Sequence, residues 1–418
     1  MSNRTKLELD SLTTADELKN VVGGVRLDRP FCIRRLGHFG ISVDDVAACL
    51  PFYTDVLGFA VSDTLDFNQF FGLDENVVGP GIGYLLRHGA EHHSFALFPR
   101  RQMMAIAEPS ADMLDITVNQ ITWQVGSLRE VVDAFPWLAQ QGLDIVRQGR
   151  DTPGSNWHCY PRGFDGNINE LYYGIELIGW NGRSKPQEIY SLTNDELPKL
   201  PYVSEATEVQ QAMAKGLDLN TGVFWKDREP ANYDVGGILL SRPFKVTRVG
   251  PVRLFVKNMA RAVHFYKDVL GLTLTEEIVW SGHSCYFLRA NTEHHSIALY
   301  PIAIREELGL SPENTLMGFG LQVGDYAQLR DAVIYLKKRG ATIRYLPQEL
   351  FPGIDYSVLA LDPSGHAVHL YYCMEQIGWD GKPCPNELRV KFDNENWPET
   401  VELRADTFRG EAFLGPLG

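Results

Sequence analysis

The chain repeats itself. RPFCIRRLGHFGISV at Arg29–Val43 returns as RPFKVTRVGPVRLFV at Arg242–Val256, and FYTDVLGF at Phe52–Phe59 returns as FYKDVLGL at Phe265–Leu272. EHHSFALFP (Glu91–Pro99) and EHHSIALYP (Glu293–Pro301) come next in the same order. ITWQVGSLREV (Ile121–Val131) is then echoed by FGLQVGDYAQL (Phe319–Leu329), and YYGIELIGWNG (Tyr172–Gly182) by YYCMEQIGWDG (Tyr371–Gly381). A period of roughly 200 residues is far longer than the ~20–50 residues of solenoid repeats. The chain therefore holds two homologous domains.

Within a copy the apolar pattern changes period in a regular way. Phe39, Ile41 and Val43 alternate with His38, Gly40 and Ser42, as in a strand with one apolar face. Val46, Leu50, Tyr53 and Leu57 follow at helical spacing, and Gly58 is a suitable stop. Strands are expected around Gly83–Leu86 and His93–Phe98. The sequence then restarts with NQITWQV, a helix over SLREVVDAFPWLAQQG, and strands at NWHCY and NINELYYG. Each domain thus reads as two strand-helix-strand-strand-strand modules, an α+β class. The expected division is an N-terminal arm (1–28), a first domain (29–182), a connecting segment (183–241), a second domain (242–382) and a C-terminal arm (383–418). The connector holds a helix capped by Ser204.

A net charge of −14 opposes binding to nucleic acid or anionic membrane, so small molecules are the expected partners. No apolar run reaches the length of a membrane span and no secretory leader is visible, which points to the cytoplasm. The six cysteines form no CxxC pair and sit mostly in apolar runs, as reduced, buried thiols would. Exposed strand edges and the long extra segments suit a homo-oligomer.

Strand parity sorts the polar side chains. His38 lies opposite the Phe39 face, Gln120 opposite Ile121 and Glu170 opposite Leu171, while His158 and Tyr160 share one face of their strand. These groups can converge in one cup, where buried polar atoms need a metal or a substrate as partner. Trp123, Trp157, Phe70 and Phe71 are candidates to line an aromatic pocket, although strand aromatics are more often core. GPGIG at Gly79–Gly83 lacks GxGxxG spacing and is a turn.

LGHFGISVDDVAACLPFYTDVLGF, EHHSFAL and NELYYG resemble the vicinal oxygen chelate superfamily, most closely its type I extradiol ring-cleaving dioxygenases. The resemblance spans both halves. It implies tandem domains of paired βαβββ modules, each an open barrel-like sheet, around a divalent metal, usually Fe(II), held by two histidines and a glutamate. Matched by position, it makes His38 and Glu170 metal ligands, His93 the proton-transfer histidine and Tyr160 the tyrosine beside bound oxygen. The second ligand histidine falls at Gln120 and a further histidine of the family at Asp151. Gln120 as a ligand favours oxygen-loving metals such as Mn(II), and His158 is a possible substitute ligand.

The second copy has Pro251 for His38, Gly318 for Gln120, His369 for Glu170 and Leu359 for Tyr160, so chemistry is expected in the first domain only. Twin motifs also give His92 and His294 a structural role, and leave His93 between a structural and a catalytic one because His295 persists. The implied activity is cleavage of a catechol-like aromatic ring with O₂. Gln120 and Asp151 keep a non-redox isomerase, epimerase or lyase as the alternative, and a metal-free small-molecule binding protein is a third reading.

Overall fold

The computed structural model describes residues 20–107, 109, 113–151, 153, 154, 156–190, 196–394 and 396–401. The expected N-terminal arm up to residue 19 and C-terminal arm from residue 402 lie outside the described residues. In the first domain the strands are β1 (Ile33–Val43), β2 (Ala60–Asp66), β3 (Ile82–Arg87), β4 (Phe95–Pro99), β5 (Val118–Val125), β6 (Ile145–Gly149), β7 (Trp157–Pro161) and β8 (Asn169–Tyr173). Their order in one curled sheet is β2-β3-β4-β1-β5-β8-β7-β6. β1 runs parallel to β4, and β5 runs parallel to β8. Each parallel pair needs a crossover, supplied by α1 (Val46–Pro51) and α4 (Leu128–Gln140). The two βαβββ modules meet where β1 and β5 pair antiparallel. Two short helices, α2 (Phe67–Phe71) and α3 (Arg100–Ala107), stand over one end of the sheet.

Local signals explain these elements. Asp45 and Ser127 cap α1 and α4 by accepting the amides of Ala48 and Glu130. α1 widens into a π turn at Phe52–Val56, after Pro51. The same turn recurs at His264–Val269, where no proline precedes it, so it belongs to the fold rather than to Pro51. Edge strands β2 and β6 carry register shifts at Val61/Asp63 and Ile145/Arg147, which break the alternation by which strands are read from sequence.

The second domain repeats the plan with β9 (Val246–Val256), β10 (Thr273–Trp280), β11 (His283–Arg289), β12 (Ile297–Pro301), β13 (Leu316–Val323), β14 (Thr342–Arg344), β15 (Ser357–Leu361) and β16 (Ala367–Tyr371). The order β10-β11-β12-β9-β13-β16-β15-β14 is the same order shifted by one domain. Between the sheets, α5 (Glu205–Ala214) is held to the first domain by the Arg150–Glu208 ion pair, at 2.7 Å. The described residues after 382 lie on the second domain: Tyr326 donates to the Pro398 carbonyl, and Trp397 packs on Tyr356.

The domains share one hydrophobic core. Phe319 stacks on Phe95 at 5.1 Å and lies 5.2 Å from Phe39, so β13 of one sheet backs β1 and β4 of the other. Tyr53 donates to Asp362 across the junction, and the Arg242 guanidinium donates to the carbonyls of Thr54 and Asp55. All six cysteines are free; Cys49, Cys159 and Cys285 are buried and the other three half-buried. Among the described residues no helix is long and apolar enough to cross a membrane.

Candidate active site

His38 is placed by a bulge. Leu36 pairs with Trp123 and Phe39 with Ile121, so β1 carries one residue more than β5 over this span. An extra residue re-aims a side chain, and Thr122 locks the result. Its hydroxyl accepts from the His38 amide and donates to the His38 carbonyl, both at 2.6 Å. Gly37 permits the crowding: a Cβ there would lie 2.1 Å from the Tyr172 hydroxyl oxygen.

Glu170 on β8 is fully buried and collects donors. His38 Nε2 lies 3.1 Å from its Oε2, and the Gln120 amide nitrogen 3.5 Å from the same oxygen. Asn156 donates to Oε1, and His158 Nδ1 stands 3.8 Å from it. Burial pushes the carboxyl up, but His38, then His158 and the Tyr160 hydroxyl outweigh it and hold Glu170 below the ordinary carboxylate range. Tyr160 is driven well above its ordinary value by burial and by the Glu170 charge, with Arg147, 4.4 Å from its ring, opposing. It stays a hydrogen-bond donor.

His93 belongs to a relay. His92 Nδ1 and His93 Nδ1 are 3.0 Å apart, and His92 Nε2 is buried without a hydrogen bond, 3.7 Å from Asp63 Oδ2. The two Nδ1 atoms share one proton; with that proton on His93, His93 donates from Nδ1 and carries its lone pair on Nε2. Burial, then the neighbouring His38 and His92, push His93 well below the ordinary imidazole range, so it is neutral. Gly154 closes over the pair; a Cβ there would come within 3.0 Å of His92 Nδ1.

His93, Gln120, Asn156 and Tyr160 form the polar end of a cavity of about 300 Å³ between the sheet and helices α2 and α3, and His38 and Glu170 lie buried behind them. Its walls include Leu65, Phe67, Phe71, Phe98, Met103 and Ile106, and its polar lining includes His93, Gln120, Asn156 and Tyr160. The volume suits one or two aromatic rings. A larger groove of about 800 Å³ runs beside the C-terminal arm and holds none of the residues around Glu170. Asp151 and His158 stand behind the site. Asp151 lies 3.2 Å from His158 Nε2 and 3.3 Å from Arg147 Nε; burial raises its carboxyl, and Arg147 and His158 bring it below the ordinary range.

All seven residues singled out from sequence, His38, His93, Gln120, Asp151, His158, Tyr160 and Glu170, thus fall in one neighbourhood. Of the aromatic candidates, Phe71 lines the cavity, whereas Trp123 is core, donating to Asn169, and Trp157 lies under Arg150. Asn156, Arg147 and, on α2, Phe67 carry no such signal in the sequence. Asn156 precedes its strand in a loop, where no periodicity places it, although its position just before NWHCY's apolar run is a signal of its own.

Among the described residues no three His, Cys, Asp or Glu side chains are grouped to hold a metal. Two do converge: ligands about 2.1 Å from an ion and at right angles stand ~3 Å apart, and His38 Nε2 and Glu170 Oε2 are separated by 3.1 Å. The third donor from this chain would be the Gln120 amide oxygen, which now accepts from Asn119 at 3.1 Å and would be exposed to the ion by a flip of the amide. Such a set fits a divalent ion with open positions.

The model of the glyoxalase/bleomycin resistance protein/dioxygenase superfamily matches residues 35–171 and 248–370. The chain belongs to that superfamily. Among curated proteins it is 28% identical over 130 residues to a 2,2',3-trihydroxybiphenyl dioxygenase of Sphingomonas paucimobilis, covering 31% of this chain and 42% of that protein. The chain therefore spans about two-fifths of the length of that relative. Among solved structures, BphC, a halotolerant catechol dioxygenase, superposes with a TM-score of 0.52 at 14% identity, over 84% of this chain and 91% of that one. The Mn(II)-bound glyoxalase from Novosphingobium aromaticivorans superposes with a TM-score of 0.51 at 16% identity, over 84% and 85%. At these identities the superpositions establish the fold.

Proposed function

We propose that the first domain cleaves the ring of a small aromatic vicinal diol with O₂, at a divalent metal held by His38, Glu170 and the Gln120 amide oxygen. The observation that carries this reading is the pairing of His38 Nε2 with Glu170 Oε2, at 3.1 Å, buried behind the polar end of an aromatic-walled cavity lined by His93, Gln120 and Tyr160. When bound, Fe(II), or Mn(II) as the alternative, would acidify the diol and supply electron density for its reaction with O₂.

The chain's own groups divide the remaining work. Phe67, Phe71 and Phe98 hold the ring and keep water out. His93 Nε2, neutral and unprotonated, accepts a proton from a substrate hydroxyl and returns it to product oxygen. Tyr160 donates a hydrogen bond to oxygen at the same end. Asp151 and His158 orient the base of the site behind Glu170. The amide at Gln120 favours a second reading, a non-redox isomerase, epimerase or lyase of the same superfamily.

The test is metal content per chain after anaerobic reconstitution with Fe(II) and Mn(II) in competition, with His38→Ala and Glu170→Ala beside the parent. One metal per chain, lost in both variants, followed by O₂ uptake with 2,3-dihydroxybiphenyl or catechol, is the expected result. Turnover without O₂ would select the non-redox reading. Absence of metal, with ligand affinity untouched in both variants, would leave a binding protein.

A further inference from the structure

Among the described residues, the second cup holds a cation that no carboxylate balances. Arg253 stands in β9 where Gly40 stands in β1, so its side chain enters the space that Gln120 approaches in the first domain. It is 1% exposed, and Nε, Nη1 and Nη2 are all buried without a hydrogen bond of good geometry. The groups among the described residues that favour its charge are the phenols Tyr300 and Tyr371, of which Tyr300 offers a marginal hydrogen bond while donating to the Leu350 carbonyl. An arginine does not discharge in a protein interior, and a buried, unpaired charge costs several kcal/mol.

The neighbouring histidines add one donor and at most one acceptor. His369 Nδ1 and His295 Nε2 are buried without partners. Burial and then Arg253 push His369 well below the ordinary imidazole range, so it is neutral and can donate from Nδ1. His295 repeats the relay of the first domain. His294 Nε2 faces Glu276 at 3.0 Å and His294 Nδ1 faces His295 Nδ1 at 3.1 Å, which leaves a lone pair on His295 Nε2. That lone pair can take one of the five guanidinium N–H groups at most. Phe351 caps the assembly, its ring 5.0 Å from the guanidinium carbon and 4.4 Å from His369.

We propose that the second domain binds a small monovalent anion, of halide or simple carboxylate size, between the Arg253 guanidinium and His369 Nδ1. One positive charge calls for one negative charge, and the Phe351 lid and the Tyr300 wall restrict its size. The ligand neutralises a charge that folding has buried, so it binds the native state and not the unfolded chain.

The full chain is melted in bromide and, separately, in formate, each from low to high concentration at constant ionic strength set with a bulky sulfonate anion. The midpoint of the parent should climb by several degrees as either small anion rises, and that slope should vanish in Arg253→Met. A rise with formate alone would identify the anion as a carboxylate, and a rise with both as any small anion. A flat parent curve, or an unchanged slope in Arg253→Met, would overturn the proposal. Should Arg253→Met fail to fold, anomalous scattering from bromide-grown parent crystals decides: a peak within hydrogen-bond reach of Arg253 supports the site, and an empty cup refutes it.

Discussion

At the inner end of the first sheet stand His38, Gln120, Glu170 and Tyr160; at the same places in the second stand Pro251, Gly318, His369 and Leu359. Strand register fixes these equivalences: Tyr172 pairs with His158 and Tyr371 with Ser357, which sets Leu359 opposite the position of Tyr160. The framework is untouched. Both first strands carry the bulge, at Leu36/Phe39 and Val249/Val252, and both copies keep the π turn and the paired histidines. What changes is the sign of the interior. The first cup centres on the Glu170 carboxylate; the second centres on the Arg253 guanidinium. The bulge and relay are therefore properties of the architecture, on which either polarity can be mounted.

The comparison is broken most forcefully at His93. His93→Ala should lower kcat for ring cleavage by about 10²–10³-fold, with metal content unchanged, as measured by O₂ uptake at saturating substrate. A loss confined to thermal stability would make His93 the same scaffold element as its twin. Next comes the pair Tyr160 and Leu359. Tyr160→Phe should reduce kcat about 10-fold while barely moving the melting temperature. Leu359→Ala should cost about 2–5 kcal/mol of stability by opening a cavity and leave the kcat of the folded protein within about twofold. Equal kinetic losses in both would mean the cups are coupled more tightly than their chemistry requires.

The smallest effect concerns the seam. His88 bonds Ser94 in its own domain at 2.7 Å and the Thr247 carbonyl of the other at 3.0 Å. Burial, aided by Lys245, Arg35 and Arg248, pushes it down to about 4. The unfolded chain, with an ordinary histidine, binds this proton first as the pH falls, so the stabilisation is complete above ~6.5 and is lost as pH drops toward 4. A loss on the order of 1–2 kcal/mol is expected over that window, given partial solvent screening. His88→Gln should flatten that part of a denaturant-melt series against pH.

The polar centre was legible because strand parity is rigid: once Phe39, Ile121 and Leu171 face the core, His38, Gln120 and Glu170 have one direction left. The cavity wall was legible only at Phe71. β2 and β6 are bulged, so neither Asp63 nor Arg147 follows from alternation, and α2 is too short to show a helical stripe. Trp123 read as a pocket candidate because a strand pattern does not reveal which aromatic finds a buried acceptor; here Asn169 takes its N–H. His92 read as structural, and its contact with His93 depends on the turning of two adjacent rings, which residue order does not encode.

The stack of Phe39, Phe95 and Phe319 carries a consequence for how the molecule comes apart. Phe39 follows His38 directly, and Phe95 comes two residues after His93, so the ring from the second half is the floor on which both site histidines rest. Neither half can melt without stripping apolar surface from the other. A cut in the connector would thus leave two fragments still clasped, sharing a single unfolding transition, with the second half acting as the mould that keeps the first in shape.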